Sequence, residues 1–209
     1  MTDDAGRFHI AGLTAGTYAV RANLPINALK NLTKNLKGAL SVGMSSPGTM
    51  GTAMTMDDGL SVYSGNVFFK KDLKPIELGE DQQLSGSDMS IPVDGMHSIG
   101  VHVTDSASGS PLQVGQVELL DADGKEILRS GYVDDSGECS FEYVPDGIYT
   151  LRVVNAMDVS EVGKMLSDNY DPKKAIHYGS AETKLRVSED VSGIVLQVSK
   201  AADEGKAAQ

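Results

Sequence analysis

Apolar and polar residues alternate with period two over a series of short stretches in this chain. In 98–104 the apolar positions are Ile99, Val101 and Val103, and in 113–121 they include Val117 and Leu119. In 148–155, Tyr149, Leu151 and Val153 alternate with Ile148, Thr150 and Arg152. Period two places one residue set on one face of a strand, so each stretch predicts a half-buried β-strand. Segments 125–133, 138–144, 182–188 and 191–198 read the same way, with Phe141 and Tyr143 flanking Glu142. The connections are turn chemistry: Ser106–Leu112, Asp121-Ala122-Asp123-Gly124, Asp134-Asp135-Ser136-Gly137 and Pro145-Asp146-Gly147. Asp bonds nearby backbone N–H groups, Pro presets φ, and Gly accepts the left-handed position that closes a hairpin. Seven short strands with such turns predict an antiparallel Greek-key β-sandwich over residues 94–200.

Part of this pattern occurs twice. Residues 2–21, TDDAGRFHIAGLTAGTYAVR, align without a gap on 133–152, VDDSGECSFEYVPDGIYTLR, at an offset of 131 that takes Asp4 to Asp135. Gly6/Gly137, Gly16/Gly147, Tyr18/Tyr149 and Arg21/Arg152 are identical. A second block, Leu78 and Leu84-Ser85-Gly86, matches Leu185 and Val191-Ser192-Gly193 at an offset of 107. The chain is therefore read as all-β: two tandem seven-stranded sandwiches, the first incomplete, with short helical or loop insertions. Residues 1–93 form the truncated first domain with a long insertion over 25–66, 94–200 the complete second domain, and 201–209 a disordered tail. In the first copy Phe8, Ile10 and Leu13 predict the strand that Phe141 marks in the second. The counterpart of 98–132 is absent from the first copy, and the reading favours a fragment of a longer protein, because a half-sandwich leaves unpaired edges. A Gly-x-Tyr at a strand start suits a tyrosine corner, so Gly6, Gly16, Tyr18, Gly137, Gly147 and Tyr149 are read as structural.

Two stretches change period. Ile26, Leu29, Leu32, Leu36 and Leu40 recur at helical spacing, and Val159, Val162, Leu166 and Tyr170 do so more weakly. Each predicts a short helix against the sandwich rather than a membrane-surface helix. Ser41–Gly59, rich in Gly, Ser, Thr and Met, reads as loop.

The charge balance of −11, from 29 acidic against 18 basic residues, opposes a nucleic-acid partner. A single cysteine, Cys139, excludes an intramolecular disulfide. No apolar run approaches the ~18 residues of a membrane-spanning helix, so no membrane insertion is predicted.

The candidate chemistry is sparse, and no catalytic, cofactor-binding or metal site is assigned. Met44, Met50, Met54 and Met56 have Cu(I)-compatible spacing, yet thioethers also fill apolar gaps under loops. Asp121-x-Asp123-Gly124 resembles the start of a calcium loop, but its glycine stands at the fourth position instead of the sixth. His97 and His102, five apart, are expected on opposite faces of one strand, and His9 and His177 stand in no motif. No nucleophile-elbow sequence occurs.

The repeated blocks resemble a known family. TDDAGRFHIAGLTAGTYAV is similar to the carboxypeptidase regulatory-like signature TDxxGxFxxxxLxxGxYxV, and VTDSASGSPLQVGQVELLDADG resembles the opening of the same domain. The resemblance implies a prealbumin-like seven-stranded sandwich, an accessory module of exported or cell-envelope bacterial proteins, with no catalytic motif to carry over. The isopeptide crosslink of related sandwiches requires a Lys in the first strand and an Asn in the last. Residues 98–104 contain no Lys and 191–198 no Asn. The reading is a non-enzymatic structural or interaction module whose partners are other domains of the same or a larger protein. Two alternatives are a starch-binding-like carbohydrate module and an accessory domain of a larger peptidase or transporter. With no Trp in the chain, Tyr63, Phe68, Phe69, Tyr170 and Tyr178 are the aromatics left for a sugar-stacking surface.

Overall fold

The computed structural model describes residues 3, 6–26, 59–91, 93–157 and 176–201. The helical readings over 26–40 and 158–170, the methionine cluster, Tyr170 and the tail from 202 onward lie outside the described residues. Eleven strands are described: β1 (Gly16–Tyr18), β2 (Arg21–Pro25), β3 (Gly59–Tyr63), β4 (Ile76–Leu78), β5 (Met96–Asp105), β6 (Val114–Leu120), β7 (Ile127–Tyr132), β8 (Glu138–Pro145), β9 (Gly147–Met157), β10 (Ala181–Val187) and β11 (Val191–Val198). The chain divides into two compact units, one of Met1–Asn23 with Ser61–Ile91, the other of Leu24–Leu60 with Pro92–Gln209.

The second unit is a seven-stranded β-sandwich. One sheet has the order β10-β9-β6-β7 and the other β11-β5-β8. The inner faces carry the alternating residues. Val117 pairs with Val153 and Leu119 with Leu151 in one sheet, and Ile99 with Phe141 and Val101 with Cys139 in the other. Ile99, Val103, Leu119, Phe141, Tyr149, Leu151 and Val153 are all 1% exposed or less. Each such side chain contributes about 1.5–3 kcal/mol by leaving water, which makes this interior the main source of the unit's stability. The chain passes from β7 to β8 in the other sheet, and β9 then returns to the first sheet beside β6 in a Greek-key connection.

One pairing departs from the antiparallel expectation: β11 runs parallel to β5. The reason is parity. Each of the seven strands reverses the direction of the one before it, so the first and the last run the same way. When these two become neighbours, their ladder is necessarily parallel.

Local alternation also fails within strands of the second unit, at Tyr143 and Thr150 among other positions. Tyr143 has φ 57°, and beyond it the inward position falls on Val144, 1% exposed, rather than on Tyr143. Thr150, read as outward, is 2% exposed.

Within the first unit β1 pairs antiparallel with β4. Elsewhere β2 pairs with β3. Val62 is fully buried, and Leu60 and Ser64 nearly so. The strand expected through Phe8, Ile10 and Leu13 does not form. No ladder runs through residues 7–14, and those three side chains are 39%, 52% and 44% exposed. The sequence match of Leu78 with Leu185 is also corrected by the register. Gly16 pairs with Leu78, whereas Gly147 pairs with Val187, so Leu78 takes the place of Val187. Two residues are therefore added in the connection that follows β4.

Candidate functional site

The residues singled out by the repeat make the same bonds in both units. The Asp3 N–H donates to the Arg7 carbonyl at 2.9 Å and the Gly6 N–H to the Asp3 carbonyl at 2.9 Å. Their counterparts run from Asp134 to Glu138 at 2.8 Å and from Gly137 to Asp134 at 2.9 Å. Gly6 and Gly137 have φ of 74° and 76°, which an L side chain rarely adopts. At Gly137 an added Cβ meets the Val103 carbonyl and the Pro111 side chain at 2.9 Å. The first turn carboxylates are consumed locally. Asp3 Oδ1 accepts from the Arg7 N–H, and Asp134 Oδ1 accepts from the Ser136 and Glu138 N–H groups.

After each turn comes the tyrosine. The Tyr18 hydroxyl donates to the Thr14 carbonyl at 2.6 Å, and the Tyr149 hydroxyl donates to the Pro145 carbonyl at 2.7 Å. Tyr149 is 1% exposed whereas Tyr18 is only half-buried. Burial, reinforced by the nearby Asp146 carboxylate, pushes the Tyr149 hydroxyl far above its usual pKa. It remains a neutral donor throughout the physiological range.

Asp121, the first residue of the calcium-like segment, closes a hairpin. Its Oδ1 accepts from the Lys125 N–H at 2.8 Å and the Glu126 N–H at 3.1 Å, and the Gly124 N–H donates to its carbonyl. Among the described residues no group of three or more His, Cys, Asp or Glu side chains is arranged to hold a metal ion. His97 and His102 engage different carboxylates: His97 Nε2 lies 2.6 Å from Asp146 Oδ1, and His102 Nδ1 lies 4.0 Å from Glu138 Oε1. A register shift between His97 and Ile99 breaks the strict alternation on which their opposite-face expectation rests. Beside them the Ser98 N–H and then its hydroxyl hold the Asp190 carboxyl below the usual carboxylate range, against a small opposing effect of burial.

An open groove of about 310 Å³ lies at one end of the second unit, lined in part by Asp105, Gln113, Tyr178 and Lys200. Asp105 is committed to its own turn, accepting from the Ala107 N–H and the Ser108 hydroxyl, and these bonds hold its pKa down.

The aromatics considered for sugar stacking are distributed between the units. Tyr63, Phe68 and Phe69 belong to the first, and Tyr178 to the second. Tyr63 and Tyr178 are each 9% exposed, so neither offers a ring face to a pyranose. Phe68 and Phe69 are half-buried, with the Lys71 ammonium 5.5 Å from the Phe69 ring centre.

Two polar arrangements escaped the sequence reading. Arg129, 6% exposed, donates to the Glu142 carbonyl and sits 5.4 Å over the Phe141 ring, bridging the two sheets. Arg152 lies between Glu118 at 3.7 Å and Glu182 at 3.3 Å, and also donates to the Gly124 carbonyl at 3.0 Å. In sequence both look like surface cations at alternating strand positions. Only the Arg152 partners carry a signal, being charges opposite one another once the ladder is known.

The second unit is thus a two-sheet Greek-key β-sandwich whose polar groups mostly secure turns and strand ends. No family model matches the chain, and no curated protein matches it. Solved structures to which the chain shows similarity include the major pilin subunit BcpA of Bacillus cereus, at TM-score 0.39 and 17% identity, covering 51% of this chain and 30% of the pilin. A putative carbohydrate binding protein from Pseudomonas aeruginosa gives TM-score 0.33 and 14% identity over 49% of this chain and 88% of that one. The 5-hydroxyisourate hydrolase of Klebsiella pneumoniae gives TM-score 0.29 and 13% identity over 51% and 94%. With TM-scores below 0.5, none of the three assigns a ligand or an activity to this chain.

Proposed function

We propose that this chain is a non-catalytic structural and interaction module, built from two copies of a carboxypeptidase regulatory-like β-sandwich, within a bacterial exported or cell-envelope protein. The observation that carries the reading is the recurrence, bond for bond, of the Asp-to-Gly turn and the tyrosine corner in both units. These residues are spent on holding backbone in place, and what recurs is therefore architecture rather than a reactive constellation. The same economy governs Asp105, Asp121 and Asp134, each of which accepts from a neighbouring backbone N–H through Oδ1. Its partners, on this reading, are other domains of the same or a larger protein.

Calorimetric titration with soluble α- and β-glucans discriminates this reading from the carbohydrate one. The expected result is no saturable heat up to millimolar sugar. Saturable binding that Phe68→Ala abolishes, with the fold intact by circular dichroism, would replace the scaffold reading with the carbohydrate reading.

A further inference from the structure

Among the described residues the sandwich of the second unit has four edge strands, β7 and β10 in one sheet and β8 and β11 in the other. An open edge invites pairing with a further strand, and proteins blunt such edges with charges, proline or bulges. β7 carries Arg129, β10 carries Glu182, Lys184 and Arg186, and β8 carries Glu138 and Glu142 and ends at Pro145. β11, VSGIVLQV, has no charged residue and no proline. A bulge with Gly193 at φ 75° interrupts its register between Val191 and Ile194, and from Ile194 to Val198 the ladder is regular.

The ladder fixes which groups β11 leaves unused. The Val103 N–H donates to the Gly137 carbonyl at 2.8 Å, and the Val103 carbonyl accepts from the Leu112 N–H at 3.0 Å, so both point away from β11. Backbone direction alternates along a strand, so His102 and Thr104 turn their groups toward β11. Val195 and Gln197 stand opposite these two, and in a parallel ladder the slanted bonds run to the residues on either side, Ile194, Leu196 and Val198. The Ser106 N–H continues the series, donating to the Val198 carbonyl at 2.9 Å. The N–H and C=O groups of Val195 and Gln197 therefore face the open edge, and no described residue bonds to them. The Val195 side chain beside them is 53% exposed. The two ends of this edge carry opposite charges: the exposed Glu189–Asp190 turn precedes β11, and the exposed Lys200 follows it. Neither Glu189 nor Lys200 forms a salt bridge with a described residue, although the Lys200 charge contributes to lowering the Asp105 pKa.

We propose that a second copy of this chain pairs with β11, antiparallel about a two-fold axis at Val195, so that two three-stranded sheets join into one. The edge is complementary to itself in this register. Antiparallel pairing about one residue keeps each face: the two exposed Val195 side chains meet, and Leu196 meets Ile194 of the other copy on the inner side. Both Val195 residues turn their N–H and C=O outward, so they form a hydrogen-bonded pair of the antiparallel ladder. Lys200 and Asp190 lie equally far from Val195 in sequence, and the two-fold brings each Lys200 beside the Glu189–Asp190 turn of the other copy. A strand of any sequence could occupy the backbone groups, but the charges at the two ends are matched by the same edge in reverse, which is an isologous contact. This self-association goes beyond the interaction-module reading and does not depend on it.

The test is sedimentation equilibrium of the full chain from micromolar to millimolar concentration, with amide hydrogen exchange across the same range. The mass is expected to rise from one chain toward two, and the Val195 and Gln197 amides to gain protection at least tenfold while the β10 amides do not change. Val195→Lys sets two like charges against each other across the axis and weakens the dimer at least tenfold, with β9 and β10 keeping their protection. Glu189→Lys and Lys200→Glu each weaken it, and the two together restore most of the loss, because the swapped charges meet again across the axis. The mass of a single chain at every concentration would overturn the proposal. So would protected Val195 and Gln197 amides in the monomer, or a dimer that Val195→Lys leaves intact. Additive losses in the charge-swapped variant would overturn the register at Val195. None of these outcomes alters the glucan titration, which tests the proposed function separately.

Discussion

The Tyr149 hydroxyl donates to the Pro145 carbonyl at 2.7 Å from a ring that is 1% exposed. This bond ties the end of β8 to the start of β9, where the chain passes from one sheet to the other. A buried carbonyl that loses its donor has no water to replace it, so the bond matters more here than on a surface. Tyr149→Phe is expected to lower stability by about 1 kcal/mol in urea unfolding, and Tyr149→Ala by about 3–5 kcal/mol through loss of the ring. Tyr18→Phe, at the half-buried corner, is expected to change the second unit's midpoint very little. Equal effects of the two Phe variants on that midpoint would contradict this assignment.

The Thr150 hydroxyl oxygen is buried without a hydrogen-bond partner. Its desolvation is uncompensated, at a typical ~1–3 kcal/mol for such a group. Thr150→Val, which keeps the shape and the β-branching, is expected to raise the unfolding midpoint. A midpoint that falls would show that the hydroxyl has a partner in solution.

Gly131 on β7 faces Cys139 on β8 closely enough that an added Cβ meets the Cys139 sulfur at 2.9 Å. Overpacking of this kind typically destabilises by ~1–3 kcal/mol. Gly131→Ala is expected to fall in that range, and Gly131→Ala combined with Cys139→Ala to recover part of the loss. The signature is a double-mutant coupling well above the ~0.5 kcal/mol error of additivity. Additive losses would place the cost in the backbone of residue 131 and not in the contact.

Asp190 accepts from the Ser98 N–H at 2.7 Å, and its pKa is lowered in the folded chain by that bond, by the Ser98 hydroxyl and by His97. A carboxylate depressed on folding contributes stability that is fully present above its unfolded pKa of about 4. That contribution is lost as pH falls through the lower folded value. Asp190→Asn is therefore expected to flatten the loss of stability below about pH 4, measured as urea midpoints from pH 7 to 3. Asp105, lowered by its bonds to Ala107 and Ser108, leaves a residual slope in that variant. An unchanged acid slope would mean that the Asp190 bonds do not survive in solution.

The strands of the second unit were legible because alternation is a local property: Ile99, Val101 and Val103, or Tyr149, Leu151 and Val153, declare an inner face before any partner is known. Turns were legible for the same reason, since Asp-Asp-x-Gly and Pro-Asp-Gly carry their geometry in four or five residues. Phe8, Ile10 and Leu13 carry the same alternation, yet they form no strand. A strand requires a ladder partner as well as a face, and the partner is set by residues far away in the chain. The same distinction explains Leu78, whose residue type matches Leu185 while its ladder position is that of Val187. It also explains Arg129, which as a lone cation in a strand gives no sign of reaching the Glu142 carbonyl.

What the amino-acid order determined unaided is therefore the repeat, its turns, its two tyrosine corners and the all-β class. Each depends on backbone conformation over a few residues or on side-chain periodicity. Tertiary structure decided the parallel ladder of β5 and β11, the inward shift from Tyr143 to Val144, the burial of Thr150 and Arg129, and the exposure of the apolar residues between Phe8 and Leu13. Each of these depends on which strand arrives alongside and from which direction. That is a property of the closed sandwich, where the parity of strand reversals and the space between two sheets select among pairings that the local pattern leaves equivalent.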